Sequence, residues 1–470
     1  MIHFGTGGFR GKIENDFNKQ NIKLIAEGIA RLYKEKKATH PIVVGYDFRL
    51  LSYGASIWIA ETLVANDIPV IRANEPSPTP AIMEISKEMR NEFGVMITAS
   101  HNPYNYNGVK LFQKEGMDAE VGLTNHLEEI ISNLDSYSEG NYKEFLDRGL
   151  IEEMPVIDHF VNNILSFVDV NGKKKDFKIL LDPIYGTGLL TLKPLLEKMG
   201  FTNIKMIHGI KDSYFGGLLP NPIEKNMLQD KELLLKENFD ICIGTDSDCD
   251  RIAILDEFGN YVDANEIMAS IYYYLVRYRH LEGDIIKNVA TSDLIDAVSS
   301  KLGFKTHEVD VGFKNISAGI KEHNALLGGE SSGGLTMRGY IFGKDSTFAT
   351  ALFMEMLSYL GKSVSSVIEE VRNFASFYKI ELEDSLPLKD VNKIKDALRK
   401  NDPSFNEKLL SKKEIGNNFK YRFINGDWML IRFSGTEPLI RLFFETDPKN
   451  KENALKEIET IKSFIKDVEK

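Results

Sequence analysis

The chain alternates short apolar runs with longer amphipathic stretches. "PIVVGYD" ends at Asp47, "FKILLDP" at Pro183 and "FDICIGTD" at Asp246. Each run stops at a polar loop carrying an aspartate, which predicts three buried strands and hints at a repeated α/β unit. Between the runs the spacing becomes helical: Ile22, Ile25, Ile29 and Leu32 share one face. The end of the chain differs. "WMLIRF" and "LIRLFFE" read as strands. A helix follows, expected to turn Leu455, Ile458, Ile461 and Ile465 inward, so a smaller α+β domain is expected at the C-terminus.

At 470 residues, with roughly 100 to 200 residues per domain, the chain holds several domains. Boundaries are expected near residues 150, 255 and 370, giving units 1–150, 151–255, 256–370 and 371–470. The hydrophobic share of 43% and charged share of 27% are ordinary for a soluble globular protein. No apolar run approaches the roughly 20 residues of a membrane span, and "MIHFGTGGFRGKI" carries no apolar h-region. No membrane association is expected. Two cysteines, Cys242 and Cys249, make no disulfide framework, so a reducing, cytoplasmic setting is expected. The net charge of −11 argues against nucleic acid as a partner. It leaves anionic substrates open, because arginines and backbone N–H groups act locally.

Four loops carry candidate chemistry. In "GTDSDCDR", Asp246, Asp248 and Asp250 stand at alternate positions. In extended chain that puts three carboxylates on one face, where a cation relieves their repulsion. All-oxygen ligands suit Mg²⁺ or Ca²⁺. An EF-hand is the sharpest rival: its twelfth position, Glu257, fits, but Arg251 stands where a glycine turn is needed. A solvated acidic turn is the plain alternative. In "IRFSGTEPLIRLFF", Ser434, Gly435 and Thr436 form a potential anion nest flanked by Arg432 and Arg441. The alternative is a tight turn whose arginines pair Glu437. "LLGGESSGGLT" sets Glu330 and Ser332 among glycines, as sugar hydroxyls require and as any glycine-rich turn also does. "FGTGGFRGKI" places Arg10 among glycines without the dinucleotide fingerprint, and no Walker A sequence occurs.

Ser100, in "TASHNP", has three readings: hydrolase nucleophile, loop cap, or carrier of a transferable group. The G-x-S-x-G elbow is absent. His101 is a poor base for its neighbour, since adjacent side chains diverge in extended chain. A serine, a cation site and an anion nest in one chain suggest phosphoryl transfer, with a capping serine as the alternative.

Together "FGTGGFRG", "GYDFRLLS", "TASHNPYNYNGVK", "DPIYGTG", "PNP", "GTDSDCDR", "VGFKN", "GGESSGG" and "RFSGTEPLIR" run almost end to end. In that order they resemble the α-D-phosphohexomutases, the family of phosphoglucomutase and phosphomannomutase. The resemblance implies four domains around a central cleft: three similar α/β units with mixed sheets and a small C-terminal α+β domain, each giving one loop to the site. It implies that Ser100 is the phosphoserine and that Asp246, Asp248 and Asp250 bind Mg²⁺, which also contacts the serine phosphate. Glu330 and Ser332 would grip sugar hydroxyls, and Arg432, Ser434, Gly435, Thr436 and Arg441 the phosphate that is not reacting. Lys110 and His101 would be proton-transfer candidates, with Arg10 and Arg251 stabilising charge. Small-molecule hexose phosphates are the implied partners, glucose 1,6-bisphosphate the intermediate and activator, and a monomer or small homo-oligomer the expected state. Two departures bear on sugar choice: Gly334 stands where many members carry histidine, and "DANE", Asp263 to Glu266, replaces a commoner Gly-Asp form. Glucose is the favoured sugar, with mannose or dual specificity as runner-up. A non-catalytic sugar-phosphate sensor is the alternative of another class.

Overall fold

The structure is a computed structural model that describes residues 2–5, 7–172, 174–434 and 439–470. Three units share one strand pattern. In the first, Val70–Ala73, Ile42–Tyr46 and Phe93–Ile97 lie parallel in that spatial order, and Tyr106–Gln113 closes the run antiparallel. In the second, Ile204–Met206, Ile179–Asp182 and Ile241–Thr245 are parallel, with Ile252–Leu255 antiparallel. In the third, Thr306–Val309, Ile285–Asn288 and Leu327–Gly329 are parallel, with Leu335–Met337 antiparallel. The three apolar runs read as strands therefore occupy positions in a repeated mixed sheet, and all are fully buried, as strands covered on both faces must be. The fourth unit is one antiparallel sheet of five strands, including Trp428–Phe433 and Leu439–Thr446.

Helices cover the sheets where the spacing predicts them. Lys19–Glu35 buries Ile22, Ile25, Ile29 and Leu32, and Asn18 caps it by accepting the Asn21 N–H at 2.9 Å. The last helix, Lys451–Glu469, corrects one expectation. It buries Ile458, Ile461 and Ile465, but Ala454 completes the face and Leu455 is exposed. One residue's rotation, about 100°, carries Leu455 off the stripe.

The expected boundaries shift for a reason no local pattern reveals. Ile151–Met154 pairs with Val70–Ala73 and so belongs to the first sheet, past 150. Tyr261–Val262 pairs with Ile252–Leu255 and extends the second sheet past 255. Position 370 falls inside the helix Val364–Ala375. One apolar core runs through all three α/β units, from Met83 through Phe160 and Ile179 to Tyr272 and Phe348. The fourth unit has its own core and meets the third through a small patch of Val289, Ala290, Trp428 and Leu430.

Candidate functional site

Each α/β unit offers its chemistry at the same place, the loop between its third strand and the antiparallel fourth. That loop holds Ser100 between Phe93–Ile97 and Tyr106–Gln113, the aspartates between Ile241–Thr245 and Ile252–Leu255, and Glu330 between Leu327–Gly329 and Leu335–Met337. Loops at the carboxyl ends of parallel strands open on one edge of a sheet, where ligands gather.

Ser100 sits at φ 48, left-handed and almost fully buried. Its Oγ donates to Asp246 Oδ2 at 2.8 Å. Its N–H donates to Thr98 Oγ1 at 2.8 Å, and its carbonyl accepts from Arg49 and, at 2.5 Å, from Ser247 Oγ. The left-handed backbone overturns the argument from extended chain: His101 Nδ1 lies 3.3 Å from Ser100 Oγ. Burial, with Arg251 and Arg10 facing it, holds His101 far below the usual histidine range, so the imidazole stands neutral beside the serine.

The aspartates also converge differently from expectation. Residues 246–250 form a turn, with Cys249 left-handed, rather than a strand. Asp246 Oδ1 accepts the N–H groups of Asp250 at 2.9 Å and Arg251 at 3.2 Å, folding the loop around its own first carboxylate. Because strands flank the loop and Glu257 binds Ser365 instead, the EF-hand reading is excluded. Lys110 Nζ donates to Asp248 Oδ2 at 2.7 Å and Asp250 Oδ2 at 3.0 Å. Burial alone would lower this ammonium, but the two carboxylates outweigh burial and hold it well above the ordinary lysine range. Burial, reinforced by Asp250 and Asp248, pushes Asp246 well up. Burial opposes ionisation of Asp248 and Asp250 as well, but Lys110 overrides it and both are held down.

The donor set fits a hard divalent cation. The three carboxylates bring one oxygen each within 4.8 Å of one another, and Asp248 Oδ1 and Asp250 Oδ1 are buried without a hydrogen-bond partner. Orphaned buried oxygens are costly, and oxygen-only ligation suits Mg²⁺.

Arg10 donates to Asn102 Oδ1 and, with Arg251, ranges positive charge around the same loops. In the third unit Glu330 is oriented rather than free: Oε1 accepts from Asn288 Nδ2 at 3.1 Å and from Gly312 N–H at 3.0 Å, and Oε2 from Ser332 Oγ at 3.3 Å. Ser332 is exposed. Ile252 N–H donates to Gly333 carbonyl at 3.0 Å, tying the aspartate loop to the Glu330 loop. In the fourth unit Arg432 and Arg441 face each other across adjacent strands, and neither makes an ion pair among the described residues. Burial and Arg441 lower Arg432, with Glu330 opposing. Two guanidinium groups side by side suit an anion. Ser434 N–H donates to Leu439 carbonyl at 2.9 Å. Gly435, Thr436 and Glu437 lie outside the described residues.

Sequence reasoning missed several residues here. Lys344 Nζ lies 3.4 Å from Asp250 Oδ2. Thr79 Oγ1 donates to Asp248 Oδ2 at 2.5 Å from the start of the helix Thr79–Glu88. Arg49, lowered by burial to about 10 with Asp47 opposing, grips the Ser100 loop through the carbonyls of Ser100, Asn102, Pro103 and Tyr106. Only "GYDFRLLS" hinted at Arg49; nothing local marks Lys344 or Thr79. The "DANE" segment proves to be a helix cap: Asp263 accepts the Glu266 N–H at 2.9 Å, and Asn265 Nδ2 reaches Glu381 Oε1 at 2.7 Å in the fourth unit.

Comparison with known proteins agrees with this layout. Family models described as phosphoglucomutase/phosphomannomutase match in four parts: alpha/beta/alpha domain I at residues 1–138, domain II at 157–259, domain III at 263–374 and the C-terminal domain at 379–462. A phosphoglucomutase/phosphomannomutase of Thermococcus kodakarensis is 28% identical over 450 residues, covering 95% of each chain. A phosphopentomutase of the same organism is 29% identical over 479 residues, covering 100% of each. A solved phosphoglucomutase/phosphomannomutase family protein from Burkholderia thailandensis superposes with TM-score 0.83 at 20% identity, covering 99% of this chain and 98% of its own.

Proposed function

Since the chain belongs to the phosphoglucomutase/phosphomannomutase family, and so to the phosphohexomutases, which are intramolecular phosphotransferases of the isomerase class, we propose that it interconverts hexose 1-phosphate and hexose 6-phosphate, glucose first, with Ser100 as phosphoryl carrier. The observation carrying this reading is the bond from Ser100 Oγ to Asp246, beside two further carboxylates with orphaned oxygens. A magnesium ion held by Asp246, Asp248 and Asp250 supplies positive charge against the phosphoryl oxygens.

In the first half-reaction the Oγ–P bond of phosphorylated Ser100 breaks and a bond forms from phosphorus to the free sugar hydroxyl. The hydroxyl proton ends on Ser100 Oγ; Lys110 and His101 are the candidate carriers, and His101 Nδ1 lies 3.3 Å from that oxygen. Arg10 and Arg251 stabilise the charge that spreads over the transferring group. The product is glucose 1,6-bisphosphate. It reverses end for end, and its other phosphate returns to Ser100 by the same steps backwards. Glu330 and Ser332 hold sugar hydroxyls, while Arg432, Ser434, Gly435, Thr436 and Arg441 hold the idle phosphate in both orientations.

Mannose is the second reading, because it differs from glucose only in configuration at C2. The deciding experiment pairs Ser100→Ala with a panel of glucose, mannose, glucosamine, N-acetylglucosamine and pentose 1-phosphates. Ser100→Ala should drop turnover to background and remove the phosphate mass from the intact chain. The wild type should show its highest kcat/KM on glucose 1-phosphate. A pentose preference would overturn the hexose assignment. Full activity without Ser100 would overturn the carrier.

A further inference from the structure

Away from the carboxylate loop, three side chains meet between the first two units. Glu84 and Glu88 stand one turn apart on the helix Thr79–Glu88. His159 reaches them from the helix Ile157–Phe167 of the second unit. His159 Nε2 lies 2.6 Å from Glu88 Oε2 and 3.5 Å from Glu84 Oε1, and one donor atom from each residue falls within 4.8 Å of the others.

Glu84 is the anomaly. Its residue is 1% exposed, yet neither carboxylate oxygen has a hydrogen-bond donor at bonding geometry. A buried acid with both oxygens orphaned is expensive to keep. Of its neighbours, Lys87 turns away to the carbonyls of Gly339 and Tyr340, and the Asn163 amide, one turn beyond His159, approaches without reaching bonding geometry. The orphaned carboxylate instead faces an imidazole and a second carboxylate, both half-open to solvent. Burial on one side, access on the other and a mixed nitrogen–oxygen donor set are what a bound ion needs.

We propose that Glu84, Glu88 and His159 form a second divalent-cation site, for a borderline transition ion such as Zn²⁺, Mn²⁺ or Co²⁺, stapling the first unit to the second. One imidazole with two carboxylates suits those ions and not Mg²⁺, which prefers oxygen alone. The ion takes the place of the proton between His159 and Glu88 and supplies the partner that Glu84 lacks. The site is distinct from the catalytic loop: Thr79, at the helix start, touches Asp248, and Glu88 lies about 13 Å further along that helix. It does not depend on what Ser100 does.

The test titrates Co²⁺ into the full chain with Mg²⁺ in excess, so that the aspartate loop is occupied, and follows visible absorption and the thermal midpoint. Wild type should take up one Co²⁺ with a spectrum showing nitrogen ligation, and Zn²⁺ should raise its midpoint. His159→Ala and Glu88→Gln, both at half-exposed positions and so expected to fold, should each weaken the site ~10-fold or more and abolish the rise. Glu84→Gln should do the same. Equal Co²⁺ uptake by wild type and His159→Ala would overturn the proposal, and so would a spectrum without nitrogen ligation. No uptake at all would show the cluster to be held by protons alone.

Discussion

Ser100 and its neighbours show how one backbone conformation decides chemistry. At φ 48 the serine turns its hydroxyl to Asp246 and lets the adjacent imidazole approach, a geometry that costs a non-glycine residue about 1 kcal/mol or more. Gly334 is the complementary case. A Cβ there would overlap the stem of Lys344, the side chain that reaches Asp250. The missing side chain therefore makes room for a cation at the carboxylate loop. Gly334→Ala should leave the fold intact, because a flexible lysine can move, while kcat falls about tenfold or more as charge near Asp250 is displaced. Unchanged kcat in that variant would show Lys344 to be a bystander. Glycine runs such as "GGESSGG" are visible in any sequence, but which side chain fills the space each glycine leaves is not.

At the scale of elements, one hairpin recurs three times and does three jobs. Its strands are legible as apolar runs ending in a polar loop, and its loop residues as motifs. The cap at "DANE" is local, Asp263 to Glu266, but its tie from Asn265 to Glu381 was not legible, because that partner lies 116 residues away. Glu266 is pushed up to about 7 by burial and by Asp263, with Arg372 opposing. A group raised in the folded state adds stability that is complete below its unfolded value near 4 and is lost as pH rises through its folded value. Wild-type stability should therefore fall between about pH 4 and 7, and Glu266→Gln should flatten that fall by up to ~3 kcal/mol. Urea midpoints at pH 5 and pH 7.5 measure it; parallel curves for the two proteins would refute it.

The whole molecule brings loops of three units together, with Arg432 of the fourth close enough to feel Glu330 and Arg251, and two expectations belong to that scale. Withholding Mg²⁺ should stop turnover, restored on its return, yet barely lower the thermal midpoint. Lys110 and Lys344 already face the aspartates, so no bare cluster of charge is left behind there; unfolding on loss of Mg²⁺ alone would contradict this. Arg441→Ala should slow transfer from phosphorylated Ser100 to glucose 1-phosphate while leaving its slow hydrolysis by water unchanged, since the remote phosphate grip supplies alignment. Single-turnover loss of phosphate from Ser100 with each acceptor is the measurement, and an undiminished preference for the phosphorylated sugar would exclude that role. By itself the sequence determined the class of fold, the strands, the residue types of each loop and the family, because periodicity and motif spacing are local. Tertiary structure decided the rest: that Ile151–Met154 joins the first sheet, that His101 meets Ser100, that Lys344 and Thr79 reach the aspartates, and that Glu84 meets His159. Such pairings depend on strand register, on left-handed turns and on burial between units, and those are properties of surfaces brought together from distant parts of the chain.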